Sequence, residues 1–167
     1  MTEALPPWEP ARLDALRALM RQHNLDCYIV RGTDRFLNEY VPTAESTRVW
    51  LTGFTGSTGD AVVSLTDAWL FIDGRYTLQA QKESSPDHWM VDTSPLGTSL
   101  EKRWQDHLVE AARQHSKPLR VGYEPDRFGL ELHKKTEDAL TAVGAELCAT
   151  LPSLVELARG PIAESTG

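Results

Sequence analysis

Two cysteines, Cys27 and Cys148, are all that the 167 residues carry. A disulfide framework needs more, in a secreted context. Each lies in an apolar run, so both are expected as buried, reduced thiols. Long apolar runs are also missing: none reaches the roughly 18 residues that span a bilayer. Residues 1–10 hold Pro6, Pro7 and Pro10 but no apolar stretch of a signal peptide. Basic charge is scarce. Lys plus Arg number 17 against 24 Asp plus Glu, a net charge of −7. Nucleic-acid binders usually present a basic face, so that role is not expected. No internal repeat or low-complexity segment occurs. A cytoplasmic protein that engages neither nucleic acid nor membrane is the expectation.

What remains is ordinary for one globular domain: 41% hydrophobic and 25% charged residues. The chain is organised around residues 52–81. There Thr52-Gly-Phe-Thr-Gly-Ser-Thr-Gly59 precedes two apolar runs, Asp60–Leu65 and Ala68–Asp73. The turn formers Thr66 and Asp67 separate them, which predicts two neighbouring strands buried on both faces. Gly74-Arg-Tyr76 leaves the second strand and opens a helix over 75–83. Strand-end loops carry much of the chemistry of such folds, so function is expected near Phe54–Gly59 or Asp73–Tyr76.

Elsewhere the spacing of Leu13, Leu16, Met20 and His23 predicts a helix from Pro10 to Asn24. A strand follows at 26–30, then a turn and short helix over 32–41 with Asp34 as cap and Pro42 as stop. Val49–Leu51 reads as a further strand. Strands are expected at 88–92, 119–123 and 146–150. Thr98-Ser-Leu-Glu101 reads as a capping box opening a helix with Leu100, Trp104, Leu108 and Ala111 inward. Leu132, Ala139, Leu140 and Val143 mark another helix, stopped by Gly144. A short one follows at Ser153–Ala158, and Arg159–Gly167 reads as a linker. Alternating strands and helices imply an α/β fold: one mixed sheet with helices on both faces.

Candidate chemistry is sparse. The glycine loop has neither P-loop nor dinucleotide-fingerprint spacing, and a strand follows it, so its glycines are assigned to tight turns at strand starts. The histidines, His23, His88, His107, His115 and His133, make no metal-ligand pattern, and His107 and His115, two helical turns apart near a helix end, are expected to be solvated. Ser57 lacks a nucleophile elbow and reads as a turn serine. Asp34, Glu39, Asp60 and Asp73 are candidates for an acidic cluster of the two-metal kind. Arg75 has two readings. Its fork of donors suits a carboxylate or carbonyl of a ligand, or an ion pair with Asp73, Asp34 or Glu39.

Several segments resemble the N-terminal domain of Xaa-Pro aminopeptidases, in the creatinase/prolidase group. They are Arg12-Leu-Asp-Ala-Leu-Arg17, Asn38-Glu-Tyr-Val-Pro42, Trp50-Leu-Thr-Gly-Phe-Thr-Gly-Ser57 and Phe71-Ile-Asp-Gly-Arg-Tyr-Thr-Leu-Gln-Ala80. Val121-Gly-Tyr-Glu-Pro125 and Ser153-Leu-Val-Glu156 extend the likeness, which covers residues 11–161. It implies about six strands in a ribonuclease-H-like layer, with residues 1–10 a tail, 11–158 the domain and 159–167 a linker to a further domain. It implies that this chain carries no catalytic or metal-binding residue. Two divalent ions, usually manganese, would sit in a separate C-terminal catalytic domain, which is the implied partner. A proline-containing peptide is the implied substrate and a homodimer the implied assembly. Arg75 matches a family arginine that reaches the substrate. Phe36 stands where such members often carry histidine. The alternative is a stand-alone, non-catalytic binding module of the same ancestry. Arg159-Gly-Pro161 resembles the family's step into the next domain and favours the first reading.

Overall fold

The computed structural model describes residues 7–33, 46–94 and 98–160. Among these lie six strands: β1 (Cys27–Val30), β2 (Asp60–Ser64), β3 (Ala68–Asp73), β4 (Met90–Ser94), β5 (Arg120–Tyr123) and β6 (Glu146–Ala149). Between them run α1 (Ala11–Gln22), α2 (Thr47–Thr52), α3 (Thr77–Glu83), α4 (Leu100–Gln114), α5 (Leu130–Thr141) and α6 (Leu154–Arg159). Single 3-10 turns at Gly74–Tyr76 and Pro125–Arg127 lead into α3 and α5.

The strands form one sheet in the order β4-β3-β2-β1-β5-β6. β2 runs antiparallel to both neighbours, and every other pair is parallel. The mixed α/β layer expected above is therefore present. Register follows the pleat: Ile29 lies beside Val62 and Tyr123, and Ala61 beside Leu70. Alternate residues of the central strands go to opposite sides. Tyr28, Val30, Ala61, Val63, Leu70 and Ile72 join Leu13, Leu16 and Met20 of α1, Leu51 of α2, Ala80 of α3 and Val155 of α6. Ile29, Val62, Phe71 and Val121 join Trp104 and Leu108 of α4 and Leu140 of α5. Two apolar layers thus flank one sheet. Each fully buried leucine contributes about 2 kcal/mol to them.

This topology lines one sheet edge with the C-terminal ends of β1, β3, β4, β5 and β6 and the start of β2. That edge gathers Arg31, the glycine loop, Arg75, Glu124–Arg127 and Thr150–Ser153 on one side of the molecule.

Five expectations change. Val49–Leu51 is helical, not a strand. Ser46 Oγ accepts the Val49 N–H at 3.1 Å, and Gly53 ends the turn at φ 81° with its N–H on Val49 O. Thr47, Arg48, Val49, Leu51 and Thr52 are all buried, so no polar face betrays the period. The cap of α4 is Ser99 rather than Thr98, because Ser99 Oγ takes the Lys102 N–H. Glu101 therefore does not reach back, and it pairs with Arg31 at 2.9 Å instead. Ala112, not Ala111, is the fully inward alanine of α4, and His23 is exposed beyond the α1 stripe. β4 begins two residues late, since the His88 and Trp89 N–H groups close a turn on Ser85 O.

Asn24 does take the left-handed conformation (φ 56°), and Gly144 (φ 74°) ends the α5 region. Both cysteines are free: Cys27 is buried, and Cys148 is only half-buried on the edge strand β6. The turn and helix expected over 32–41 fall mainly on residues 34–45, which lie outside the described residues, as does the end of the expected linker.

Candidate functional site

β3 delivers Asp73 to the sheet edge, and the chain turns at once. Asp73 Oδ1 accepts the Arg75 N–H at 3.0 Å, capping the turn Gly74–Tyr76, and Arg75 Nε lies 3.3 Å from the same oxygen. The backbone N–H, then the guanidinium, hold the Asp73 carboxyl below its ordinary range. The predicted pair with Asp73 thus exists, and it does not bury Arg75, whose side chain is 72% exposed. The guanidinium carbon stands 5.5 Å from the Tyr76 ring centre. Tyr76 Oη and Ser57 Oγ are 2.7 Å apart, tying the arginine's turn to the glycine loop. Ser57 is a turn serine, as expected.

The glycine loop has an organiser that sequence reasoning missed. Arg48 of α2 is 3% exposed, and it donates to the Gly56 and Gly59 carbonyls while lying 5.1 Å from the Phe54 ring centre. Burial pushes its pKa down to about 10, with the Asp60 carboxylate opposing. A phosphate cradle turns N–H groups inward. This loop turns carbonyls inward onto a cation, the opposite polarity. Gly53 caps α2 rather than opening a strand. A Cβ there would meet Glu83 O at 2.7 Å, and one on Gly56 would meet the Phe54 ring at 2.2 Å. Glu83 fastens the loop to α3 by accepting the Thr55 N–H at 2.9 Å and its hydroxyl at 2.7 Å.

Among the described residues, Asp60 and Asp73 are not brought together. Asp60 is buried and occupied: it accepts the Gly32 N–H at 3.0 Å and the Trp104 Nε1–H at 2.9 Å, with Arg31 Nε at 3.5 Å. Asp73 is engaged by Arg75, and Asp34 and Glu39 lie outside the described residues, as does Phe36. Among the described residues no group of three or more His, Cys, Asp or Glu is placed to hold a metal ion.

The solvated-histidine expectation fails at His107. Its ring packs 4.2 Å from that of Trp69 and 5.6 Å from that of Phe71, and burial lowers its pKa. With Trp69, Asp26 and His115 it lines a cavity of about 360 Å³ at the opposite end of the sheet from Arg75.

A second buried network locks α6 to the edge. Glu124 accepts the Ser153 hydroxyl at 2.6 Å and the Thr47 hydroxyl at 3.5 Å. Arg127 donates to Thr47 Oγ1 at 3.2 Å and to Glu156 at 2.7 Å. Ser153 Oγ also caps α6. Tyr28 Oη takes the Leu154 N–H at 3.1 Å and donates to Thr150 Oγ1, which donates to Tyr123 O. Burial pushes the Glu124 carboxyl up to about 7, against the pull of Arg127. The sequence signals here were Val121-Gly-Tyr-Glu-Pro125 and Ser153-Leu-Val-Glu156, which carry no chemical assignment by themselves.

The sheet, its two helical layers and the exposed arginine on its edge define an α/β domain. The chain belongs to the creatinase/prolidase N-terminal domain family, whose model matches residues 12–159. It is 33% identical over 165 residues to Xaa-Pro aminopeptidase 2 of Homo sapiens, covering 93% of this chain and 23% of that protein. It is 35% identical over 149 residues to the probable Xaa-Pro aminopeptidase P of Penicillium rubens, covering 89% of this chain and 23% of that protein. The chain thus spans about a quarter of the length of these relatives.

Among solved structures, the X-prolyl aminopeptidase of Caenorhabditis elegans, described as a cytosolic enzyme with a di-nuclear active site, superposes with a TM-score of 0.76. Its identity is 23%, over 88% of this chain and 25% of that one. The N-terminal domain of the cytoplasmic peptidase PepQ of Mycobacterium tuberculosis superposes at 0.69, with 24% identity over 90% of this chain and all of that one. At these identities the structures bear on the fold alone.

Proposed function

We propose that this chain is the non-catalytic N-terminal domain of an Xaa-Pro aminopeptidase-like metallopeptidase, which removes an N-terminal residue preceding proline. In this reading residues 11–158 are the domain and 159–167 lead to the catalytic part. That part would hold two divalent ions, manganese being the expected metal. The domain narrows access to the active site, contributes subunit contacts in a dimer, and works in the cytoplasm. Among the described residues no helix is long and apolar enough to cross a membrane, which agrees with that setting.

Arg75 carries the substrate role. Its support is geometric: the guanidinium is exposed on the sheet edge while Asp73 fixes the backbone and Nε beneath it. An arginine held from behind presents its fork at little further entropic cost, which suits a peptide carbonyl or carboxylate.

The test is Arg75→Ala in the native-length polypeptide. The expected outcome is a fall of about tenfold or more in kcat/KM on an Xaa-Pro peptide, as for loss of a charge-assisted hydrogen bond. The melting temperature should not move, because the Asp73–Arg75 pair is exposed. Unchanged kinetics refutes the substrate contact. A native polypeptide of only 18.6 kDa in the source cells refutes the peptidase reading as a whole.

A further inference from the structure

We propose that the cavity at the sheet end opposite Arg75 is a binding site for a small aromatic amine, a flat apolar ring system carrying one protonated amino group. The site lies wholly within this chain, and the substrate role of Arg75 makes no use of it.

The starts of β1, β3 and β5, the end of β2 and the second half of α4 surround about 360 Å³, room for a molecule of one or two rings. Its walls are apolar and aromatic. The Trp69 and His107 rings stand 4.2 Å apart, tilted at 58°. The buried Cys27 and Leu119 line it with them.

The polar end is a pair of acceptors. His115 Nδ1 is 2.7 Å from Lys117 O. A carbonyl only accepts, so the proton of the neutral imidazole sits on Nδ1 and leaves Nε2 an acceptor. That nitrogen stands 3.7 Å from Asp26 Oδ1, too far for a hydrogen bond. Asp26 Oδ2 takes the Arg120 N–H at 2.9 Å, which fixes the carboxylate. An ammonium group, with three donors, bridges the two acceptors.

Charge points the same way. Among the described residues that line the cavity Asp26 is the carboxylate, and none is Lys or Arg. The arginines nearby are engaged elsewhere: Arg17 donates to Ser64 O at 2.9 Å, and Arg120 to Glu146 at 2.9 Å. Burial lowers the His107 pKa, so that ring adds no positive charge. The 15-residue helix α4 ends beside the cavity, and a helix C-terminus carries partial negative charge. Each of these favours a protonated amine, and none favours a carboxylate. The indole of Trp69 offers an aromatic ring a partner for stacking or edge contact.

Titration of the 167-residue chain with tryptamine, followed by calorimetry and by amide NMR shifts, tests the proposal. Saturable binding is expected, with the shifts concentrated at 26–27, 64–69, 107–115 and 119. Indole, the same rings without the amine arm, should bind at least about tenfold more weakly, as for loss of a charge-assisted hydrogen bond. Asp26→Asn keeps an acceptor for the Arg120 N–H and removes the charge. It should weaken tryptamine about tenfold or more and leave indole unchanged. Ala111→Phe places a ring in the cavity, which Ala111 lines, and should abolish binding of both probes. No saturable binding overturns the proposal. So do shifts centred elsewhere, equal affinities for tryptamine and indole, or tryptamine binding that survives Asp26→Asn or Ala111→Phe undiminished. Should either variant fail to fold, the two probes on the unaltered chain still decide, since their ratio and the shift map need no substitution.

Discussion

Glu124 is fully buried, and its carboxyl titrates near 7 rather than 4.5 because desolvation outweighs the nearby Arg127. Between those two values the folded chain holds a proton that the unfolded chain has released. Stability therefore falls as pH rises through that window and levels off above it. The upper limit of the fall is on the order of 3 kcal/mol. Glu124→Gln keeps an acceptor for Ser153 and removes the titration. Urea denaturation at a series of pH values should show a flatter dependence in the variant, and parallel curves would contradict the assignment. Arg48 is the complementary case, a buried cation whose partners are carbonyls rather than carboxylates. Arg75 contrasts with both. It is exposed, its ion pair is solvated, and what it offers is a site rather than stability.

Among the elements, α2 shows how local signals act when periodicity is silent. Ser46 supplies the start and Gly53 the stop, on either side of the six residues Thr47–Thr52. Ser46→Ala removes the acceptor for the Val49 N–H and should cost about 1 kcal/mol. Gly53→Ala imposes φ 81° on a residue with a Cβ that meets Glu83 O, and should cost more than about 1 kcal/mol. Thermal denaturation of the two variants checks the order. A smaller loss in Gly53→Ala would mean that the left-handed stop is not what ends the helix. Because Arg48 lies on α2, either change should also loosen the loop at Gly56–Gly59, read as faster amide exchange there. α6 is capped in the same way by Ser153, whose hydroxyl also reaches Glu124, so the last helix is tied to the sheet edge from its first residue.

For the whole molecule, β1, β2 and β3 feed both apolar layers by alternation, so the layers share their central strands. Leu16→Ala on one side and Leu108→Ala on the other should each cost about 2–5 kcal/mol. Both should unfold in a single transition, with far- and near-ultraviolet dichroism coinciding. Two separated transitions would mean that the layers fold independently. The topology also separates tasks. One sheet edge collects Arg75, the glycine loop and the Glu124 network, while the cavity beside Trp69 and His107 occupies the other.

By itself the sequence determined the class of fold. The apolar runs at 60–65 and 68–73, helical spacing at Leu13, Leu16 and Met20, and turn residues at Asn24 and Gly144 are local signals, and each survives in the structure because burial rewards the same pattern. Asp73-Gly-Arg-Tyr76 was legible for the same reason, since the pair it forms closes within two residues. Only the tertiary structure decided what depends on distant partners. Asp60 reads as a free carboxylate until Gly32 and Trp104 reach it, 28 and 44 residues away. Nothing in the local spacing marks Arg48 before the loop closes over it. His107 reads as solvated until Trp69 and Phe71 pack against it. Glu124, Arg127 and Ser153 become one network only when β5 and β6 lie side by side. Burial of a polar group is set by what folds across it, and no local spacing encodes that.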